Sequence, residues 1–229
     1  MNGDREQILA RVTEALRVPA PRHHEIPSKP ATHTVTAPFR EWLPPVGPSI
    51  EEQIALFAER SESLRTEFCQ CPSPEAATQH LAGLARANGW KRIAFHAGSL
   101  ANALAAGLPS EVGLLLIESG YDTNALEACD AGLTECESLI AQTGSVCVSS
   151  RSSGGRALSV LPPHHVVIAS RGQLVADLSA AYERLAEKYG ASYPSFISVI
   201  SGPSRTGDIE RILVLGAHGP KKLTVLLVP

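Results

Sequence analysis

A chain of 229 residues that is 44% hydrophobic can build a full core, either as one domain with an extension or as two small ones. Its net charge is −3, from 20 Lys and Arg against 23 Asp and Glu, and no basic block gives it the footprint of a nucleic-acid binder. The opening Met1-Asn2-Gly3-Asp4-Arg5-Glu6 lacks the apolar core of a secretory signal, and no apolar run approaches the length of a membrane span. A cytoplasmic protein is therefore expected. The five cysteines, Cys69, Cys71, Cys129, Cys136 and Cys147, include no C-x-x-C pair, so the common zinc and iron–sulfur frameworks are absent. Cys69 and Cys71 are either a weak thiolate pair or two reduced cysteines packed as small apolar groups.

The first predicted element is an amphipathic helix from Asp4 to Arg17, with Ile8, Leu9, Val12 and Leu16 on one stripe. So short a helix is marginal alone and needs something to pack on. Val18 to Pro48 is rich in Pro, His and Thr and has no periodicity, so it reads as an extended arm or linker. The expected division is an arm over residues 1–48 and a domain over 49–229. The arm could carry the first helix onto the domain or onto a neighbouring subunit, which leaves a homo-oligomer open. His23, His24 and His33 lie in this arm without the partners of a metal site, and no metal is expected.

Ser49 and Glu52 form a capping box, and the helix behind them carries Ile50, Ile54, Phe57, Leu64 and Phe68 on one face and ends near Cys69. Ser73-Pro74 starts another helix, which stops at Asn88-Gly89. The chain then alternates. Strands are predicted at Arg92 to His96, Gly113 to Ile117 and Ala131 to Thr134, with a helix opening at Gly98-Ser99 and a helical turn from Asn124 to Cys129. This alternation predicts an α/β fold: a mainly parallel sheet with helices on both faces. Thr143-Gly144 separates Leu139–Gln142 from Ser145–Val148 as a hairpin turn would. Val166 to Ala169 is a strand, Leu174 to Tyr189 a helix, Phe196 to Ile200 a buried strand and Leu223 to Val228 a last strand.

Between those two last strands lies the most informative stretch. It brings together Gly202, Ser204, Arg205, Thr206, Asp208 and Glu210, then a second glycine turn, Gly216-Ala217-His218-Gly219-Pro220. Free backbone N–H groups beside a fixed positive charge suit an anionic ligand. Gly202 and Gly207 bracket four residues as in the first half of a phosphate-binding P-loop. Asp208-Ile209 stands where Lys and Ser/Thr would be needed, so nucleoside triphosphate hydrolysis is not proposed. The plainer alternative is a turn between strands, with Arg205 paired to Asp208 or Glu210.

The run Ser201-Gly-Pro-Ser-Arg-Thr with Asp208-Ile209-Glu210, Leu213-Val214-Leu215-Gly216 and His218-Gly219-Pro220 resembles the C-terminal signature of the lactate utilization protein C family, also called the LUD-domain or YkgG-like family. Ala141-Gln142-Thr143-Gly144-Ser145 resembles its second motif and Leu161-Pro162-Pro163-His164 its third. One departure is plain: the second motif usually carries Glu where Gln142 stands. The resemblance implies the sheet-and-helix fold shared with ribose-5-phosphate isomerase, glucosamine-6-phosphate deaminase and CoA transferases (NagB/RpiA/CoA transferase-like). It also implies a part in L-lactate oxidation to pyruvate beside two iron–sulfur partner proteins. No cofactor is then intrinsic to this chain, and iron–sulfur clusters are expected only on the partners.

Ligand sites in open α/β sheets lie at the carboxyl ends of strands. The expected anion pocket joins N–H groups of Gly98 and Ser99, the hairpin residues Gln142, Thr143, Gly144 and Ser145, the forked cation Arg205 with Gly202, Ser204, Thr206 and Asp208, and the turn residues Gly216, His218 and Gly219. His218 is the candidate titrating group there, or it braces the glycine turn. Arg151 to Arg156 is a basic, Gly/Ser-rich loop that either closes over an anion or is a solvated turn. Two classes follow. The first is an accessory, non-catalytic component of a lactate-oxidising system that binds a small anion. The second is a free-standing isomerase or acyl/CoA-transfer enzyme acting on a phosphorylated or CoA-linked molecule. The second class needs a carboxylate, with Glu118 or Glu137 as candidates. A small-ligand sensor is a third reading.

Overall fold

The structure, a computed structural model, describes residues 2–17, 43–117, 122–206, 214–216 and 218–229. It divides into two compact units, Met1–Trp42 and Leu43–Pro229. In the first, α1 (Asn2–Arg17) is the described element, and its Ile8, Leu9 and Val12 are exposed.

The second unit is built on a six-stranded sheet in which every pairing is parallel. The strands are β1 (Glu67–Gln70), β2 (Arg92–His96), β3 (Gly113–Ile117), β4 (Ala131–Thr134), β7 (His164–Ser170) and β12 (Lys222–Val228), in the spatial order β1-β12-β7-β4-β2-β3. The central strands are apolar on both faces, as a doubly covered parallel sheet requires. Alternation along them divides the core. Val166, Ile168 and Leu226 meet Leu81, Ala85 and Leu104 from helices α3 (Pro74–Asn88) and α4 (Ser99–Ala106). Val167, Ala169, Val225 and Leu227 point the other way, onto Ile54 and Phe57 of α2 (Ile50–Ser63) and onto a second sheet. Near β2 and β3, α5 (Thr123–Glu127) buries Leu126 beside Ala94 and Ile117.

The second sheet holds β5 (Ser138–Ile140), β6 (Ser145–Ser149), β8 (Leu174–Val175) and β9 (Ile197–Ile200), in the order β8-β5-β6-β9. Leu139, Val146 and Val148 face the large sheet, while Ile140 and Cys147 face Ala181, Leu185 and Tyr189 of α6 (Leu178–Tyr189). A short antiparallel ribbon, β10 (Arg205–Thr206) with β11 (Val214–Leu215), completes the described strands.

The mainly parallel α/β architecture and the hairpin at Thr143-Gly144 are as expected from sequence. Three features differ. Helix α2 stops at Ser63 rather than near Cys69, because Arg65 takes a left-handed conformation (φ 63°) and Thr66 N–H turns back to the Ser61 carbonyl. Cys69 therefore lies in edge strand β1, with Cys71 just beyond its end, and not on a helix. The expected helix over Leu174–Tyr189 begins only at Leu178. Asp177 caps it there by accepting from Ala180 N–H, and Leu174–Val175 pairs with β5 instead. The strand ending at Ile200 is half-buried rather than buried, because it forms the outer edge of the second sheet.

Candidate functional site

The β5–β6 turn and the two late loops meet at the amino-terminal end of the large sheet. Register carries them there: Val146 pairs with Ile200, which sets the Ser145 hydroxyl 2.7 Å from that of Ser201. The late loops close on each other. Ser204 N–H donates to the Pro220 carbonyl, Gly216 N–H donates to the Ser204 carbonyl, and Gly219 lies against the Ser204 side chain. Lys221, which leads into β12, donates to the Pro163 carbonyl just ahead of β7.

The same end receives the C-terminus of α2. Gly144 (φ 64°) presses on the backbone of Arg60 and Ser61, where a Cβ would lie 2.9 Å from Ser61 N. Gly202 (φ 83°) sits against the Leu64 carbonyl in the same manner, at 2.7 Å. Both positions need glycine for the left-handed backbone and for the close approach. The exposed Arg205 folds back so that one of its guanidinium nitrogens lies 3.4 Å from where a Gly202 Cβ would be.

This junction leaves a group of polar atoms buried without a hydrogen-bond partner among the described residues: Arg60 Nε, Ser61 Oγ, Thr66 Oγ1 and Thr143 Oγ1. Buried polar atoms are normally paired, so these are open to a further hydrogen-bond partner. Gln142 is otherwise engaged, since its side-chain N–H donates to the Pro44 carbonyl at 3.0 Å. A carboxylate at this position would set acceptor against acceptor.

Gly98 and Ser99 do not join this group. They follow β2 at the carboxyl end of the large sheet, whereas the loops above lie at its amino end. A strand the length of β7, seven residues, spans roughly 20 Å. Gly98 N–H already donates to the His96 carbonyl, and Glu135 fills the helix N-terminus just behind it by accepting from Leu100 N–H at 2.8 Å and Ala101 N–H at 3.2 Å. Glu135 N–H in turn donates to His96 Nε2, which fixes that imidazole in the Nδ1–H tautomer. Burial pulls the His96 imidazole below its ordinary value, against the opposing charge of Glu135.

Glu137 is buried on the same loop and accepts from Ser149 Oγ, Tyr189 Oη and Lys188 Nζ. Burial pushes its carboxyl up, but these donors and the Lys188 charge outweigh it, so the group stays below the usual carboxylate range. An ionised carboxylate so enclosed serves as an anchor between β5, β6 and α6. Arg151 lies over the Tyr189 ring, 5.2 Å from its centroid. Of the remaining expected residues, His218 is exposed and Thr206 pairs with Val214 through β10 and β11. Asp208, Glu210 and Glu118 lie outside the described residues. Arg60, Ser61, Thr66 and Glu135 were not foreseen. The first three carry no motif, and only their burial marks them.

A model of the LUD domain matches residues 54–228, a span that takes in the hairpin, both late loops and the C-terminal half of α2. The chain belongs to the LUD domain family. It is 30% identical over 186 residues to lactate utilization protein C of Shouchella clausii, covering 79% of this chain and 80% of that one. It is 35% identical over 104 residues to lactate utilization protein C of Bacillus subtilis, covering 44% and 43%. For the Escherichia coli protein YkgG, described as uncharacterized, the identity is 36%, with coverage of 44% and 45%. The matched stretch thus spans under half the length of these last two LUD relatives. Among solved structures, a DUF162 family protein from Deinococcus radiodurans superposes with a TM-score of 0.63 at 23% identity. That match covers 80% of this chain and 100% of that one, and it shows a shared fold.

Proposed function

We propose that this LUD domain protein serves L-lactate utilization as an accessory, ligand-binding component, and that iron–sulfur partner proteins carry the electrons. The names of its relatives in Shouchella clausii and Bacillus subtilis support the lactate assignment. Its five cysteines include no C-x-x-C pair, which on this reading leaves cluster binding to the partners. No helix among the described residues is long and apolar enough to cross a membrane, and the proposed compartment is the cytoplasm.

The observation that carries the ligand-binding part is the open donor set where α2 meets the β5–β6 turn. Arg60 Nε–H and the hydroxyls of Ser61 and Thr143 have room in their valences for one acceptor, and a carboxylate supplies two oxygens. Arg205, close by over Gly202, adds long-range positive charge. A small 2-hydroxy or 2-oxo acid suits such a site. Its carboxylate meets the guanidinium edge and its 2-oxygen meets a hydroxyl.

The role is tested by deleting the gene and plating on L-lactate as sole carbon source. Growth should fail, and it should return with the wild-type gene but only weakly with Thr143→Val. Undiminished growth of the deletion strain on L-lactate would remove the assignment.

A further inference from the structure

At the edge of the large sheet, β1 and the residue just beyond it bring two thiols beside an imidazole of α3. Cys69 Sγ lies 3.7 Å from Cys71 Sγ and 3.6 Å from His80 Nδ1 on α3. His80 Nε2 is 3.4 Å from Glu67 Oε1, at ion-pair distance though not aligned as a hydrogen bond. Glu67 is itself held: its Oε2 accepts from Thr224 Oγ1 at 3.1 Å, and Thr224 Oγ1 lies 2.8 Å from His164 Nε2. Of the five cysteines only Cys69 is part-exposed, since Cys71, Cys129, Cys136 and Cys147 are all buried. Beside Cys71, at the carboxyl ends of β1 and β12, opens a cleft of about 320 Å³ whose lining includes Gln70, Arg171 and Val228. Arg171 stands 3.7 Å from Glu51, so it brings a cation to the cleft rim without being locked in a short ion pair.

We infer that Cys69 and Cys71 form a thiol–disulfide exchange site, with Cys69 the attacking thiol, Cys71 the resolving thiol and a low-molecular-weight disulfide bearing carboxylates the substrate. Cys69 gives its proton to His80 Nδ1, and its thiolate attacks one sulfur of the incoming disulfide. The S–S bond of the substrate breaks, and the first thiol leaves with the proton returned by His80. The Cys71 thiol then attacks the Cys69 sulfur. A Cys69–Cys71 bond forms, the mixed disulfide breaks, and the second thiol leaves with the proton of Cys71. Two protein thiols are oxidised by two electrons and one substrate disulfide is reduced to two thiols.

The geometry assigns the order of attack. Cys69 is the accessible thiol and the one that touches the imidazole. Burial first, and the neighbouring Cys69 second, push the Cys71 thiol up to about 12, so Cys71 reacts only once a disulfide is presented directly to it. Residues i and i+2 of an extended chain lie roughly 6.6 Å apart, near the upper limit for bridged Cα atoms, so the product disulfide is strained and easily reduced. The site is therefore reversible, and Arg171, which shares the cleft with Cys71, offers a partner for a carboxylate such as those of glutathione.

The test uses the reduced full-length protein with oxidised glutathione, quenched by alkylation and read by mass spectrometry. Wild type should lose two alkylatable thiols, mapped to Cys69 and Cys71. Cys71→Ser should instead accumulate one glutathione on Cys69. Cys69→Ser should take up none. His80→Gln should slow glutathionylation of Cys69 by about tenfold or more at neutral pH, with the deficit shrinking as pH rises and thiolate forms without a base. Matching circular dichroism spectra for the variants ensure that folded proteins are compared. The inference is overturned if folded Cys71→Ser gains no glutathione at Cys69, or if Cys69 reacts no faster than the buried Cys147.

Discussion

The hydroxyls of Ser145 and Ser201 stand 2.7 Å apart, one at the foot of the hairpin and the other at the head of the late loop, so a single contact fastens two sequence motifs that are 56 residues apart. Removing either hydroxyl should cost about 1 kcal/mol. The double variant Ser145→Ala/Ser201→Ala should cost less than the sum of the two single ones, by roughly 0.5–1 kcal/mol. A double-mutant cycle in urea reads this directly, and strict additivity would mean that the loops are held independently.

Gln142→Glu introduces the acid that the motif resemblance implies at this position, and in this chain it should destabilise. The Pro44 carbonyl now receives the Gln142 side-chain N–H, and a carboxylate there removes the donor and opposes two acceptors. A loss of about 1–2 kcal/mol is expected above the carboxylate titration range and should shrink at acid pH, where a protonated Glu can donate. The same variant addresses the enzyme reading. Isomerase or CoA-transfer activity that appears with the introduced acid would contradict an accessory role.

Glu137 has a folded-state carboxyl held below the usual range, so its stabilising contribution is present above the unfolded value and is lost as pH falls through the folded one. Glu137→Gln should lower stability by about 2 kcal/mol at neutral pH, because three donors lose a charged acceptor. The two proteins should converge in stability only as pH falls through the lowered folded-state value, beneath the ordinary carboxylate range. Thermal unfolding followed from neutral to acid pH measures this.

His164 and His165 are buried as neutral imidazoles. Burial, with the Lys222 charge for His164 and His164 itself for His165, lowers them to about 4 and about 3. Their folded values lie below the unfolded one, so the folded state is favoured above the ordinary histidine range. It loses ground as pH falls, because the unfolded chain takes up protons first. Between neutral pH and pH 5 the loss should reach on the order of 2 kcal/mol for each histidine. His165→Gln, which keeps a polar partner for Thr134 Oγ1, should flatten that slope even though it lowers stability overall. An unchanged slope would show that the acid sensitivity arises elsewhere.

The sequence announced what its periodicity and turn chemistry control. Alternating short strands and helices indicated a parallel sheet, the Ser49–Glu52 box marked the start of α2, and Thr143-Gly144 marked the hairpin. It did not show that Arg65 would adopt a left-handed conformation and release Glu67–Gln70 into the sheet, since no glycine or proline signals that break. Nor could it show which end of the sheet each loop would reach. Gly98 reads as a ligand loop until Glu135, 37 residues later, is seen to fill the helix N-terminus behind it. Arg60 and Ser61 look like a solvated helix face until Gly144 covers them.

Isothermal titration of the purified protein with L-lactate and pyruvate tests the central claim most directly. Saturable binding to wild type is expected, weakened about tenfold or more by Thr143→Val, which withdraws one buried donor, and weakened further as salt screens Arg205. Absence of heat with either acid, or binding that folded Thr143→Val leaves unchanged, would contradict a carboxylate site at the junction of α2 and the hairpin.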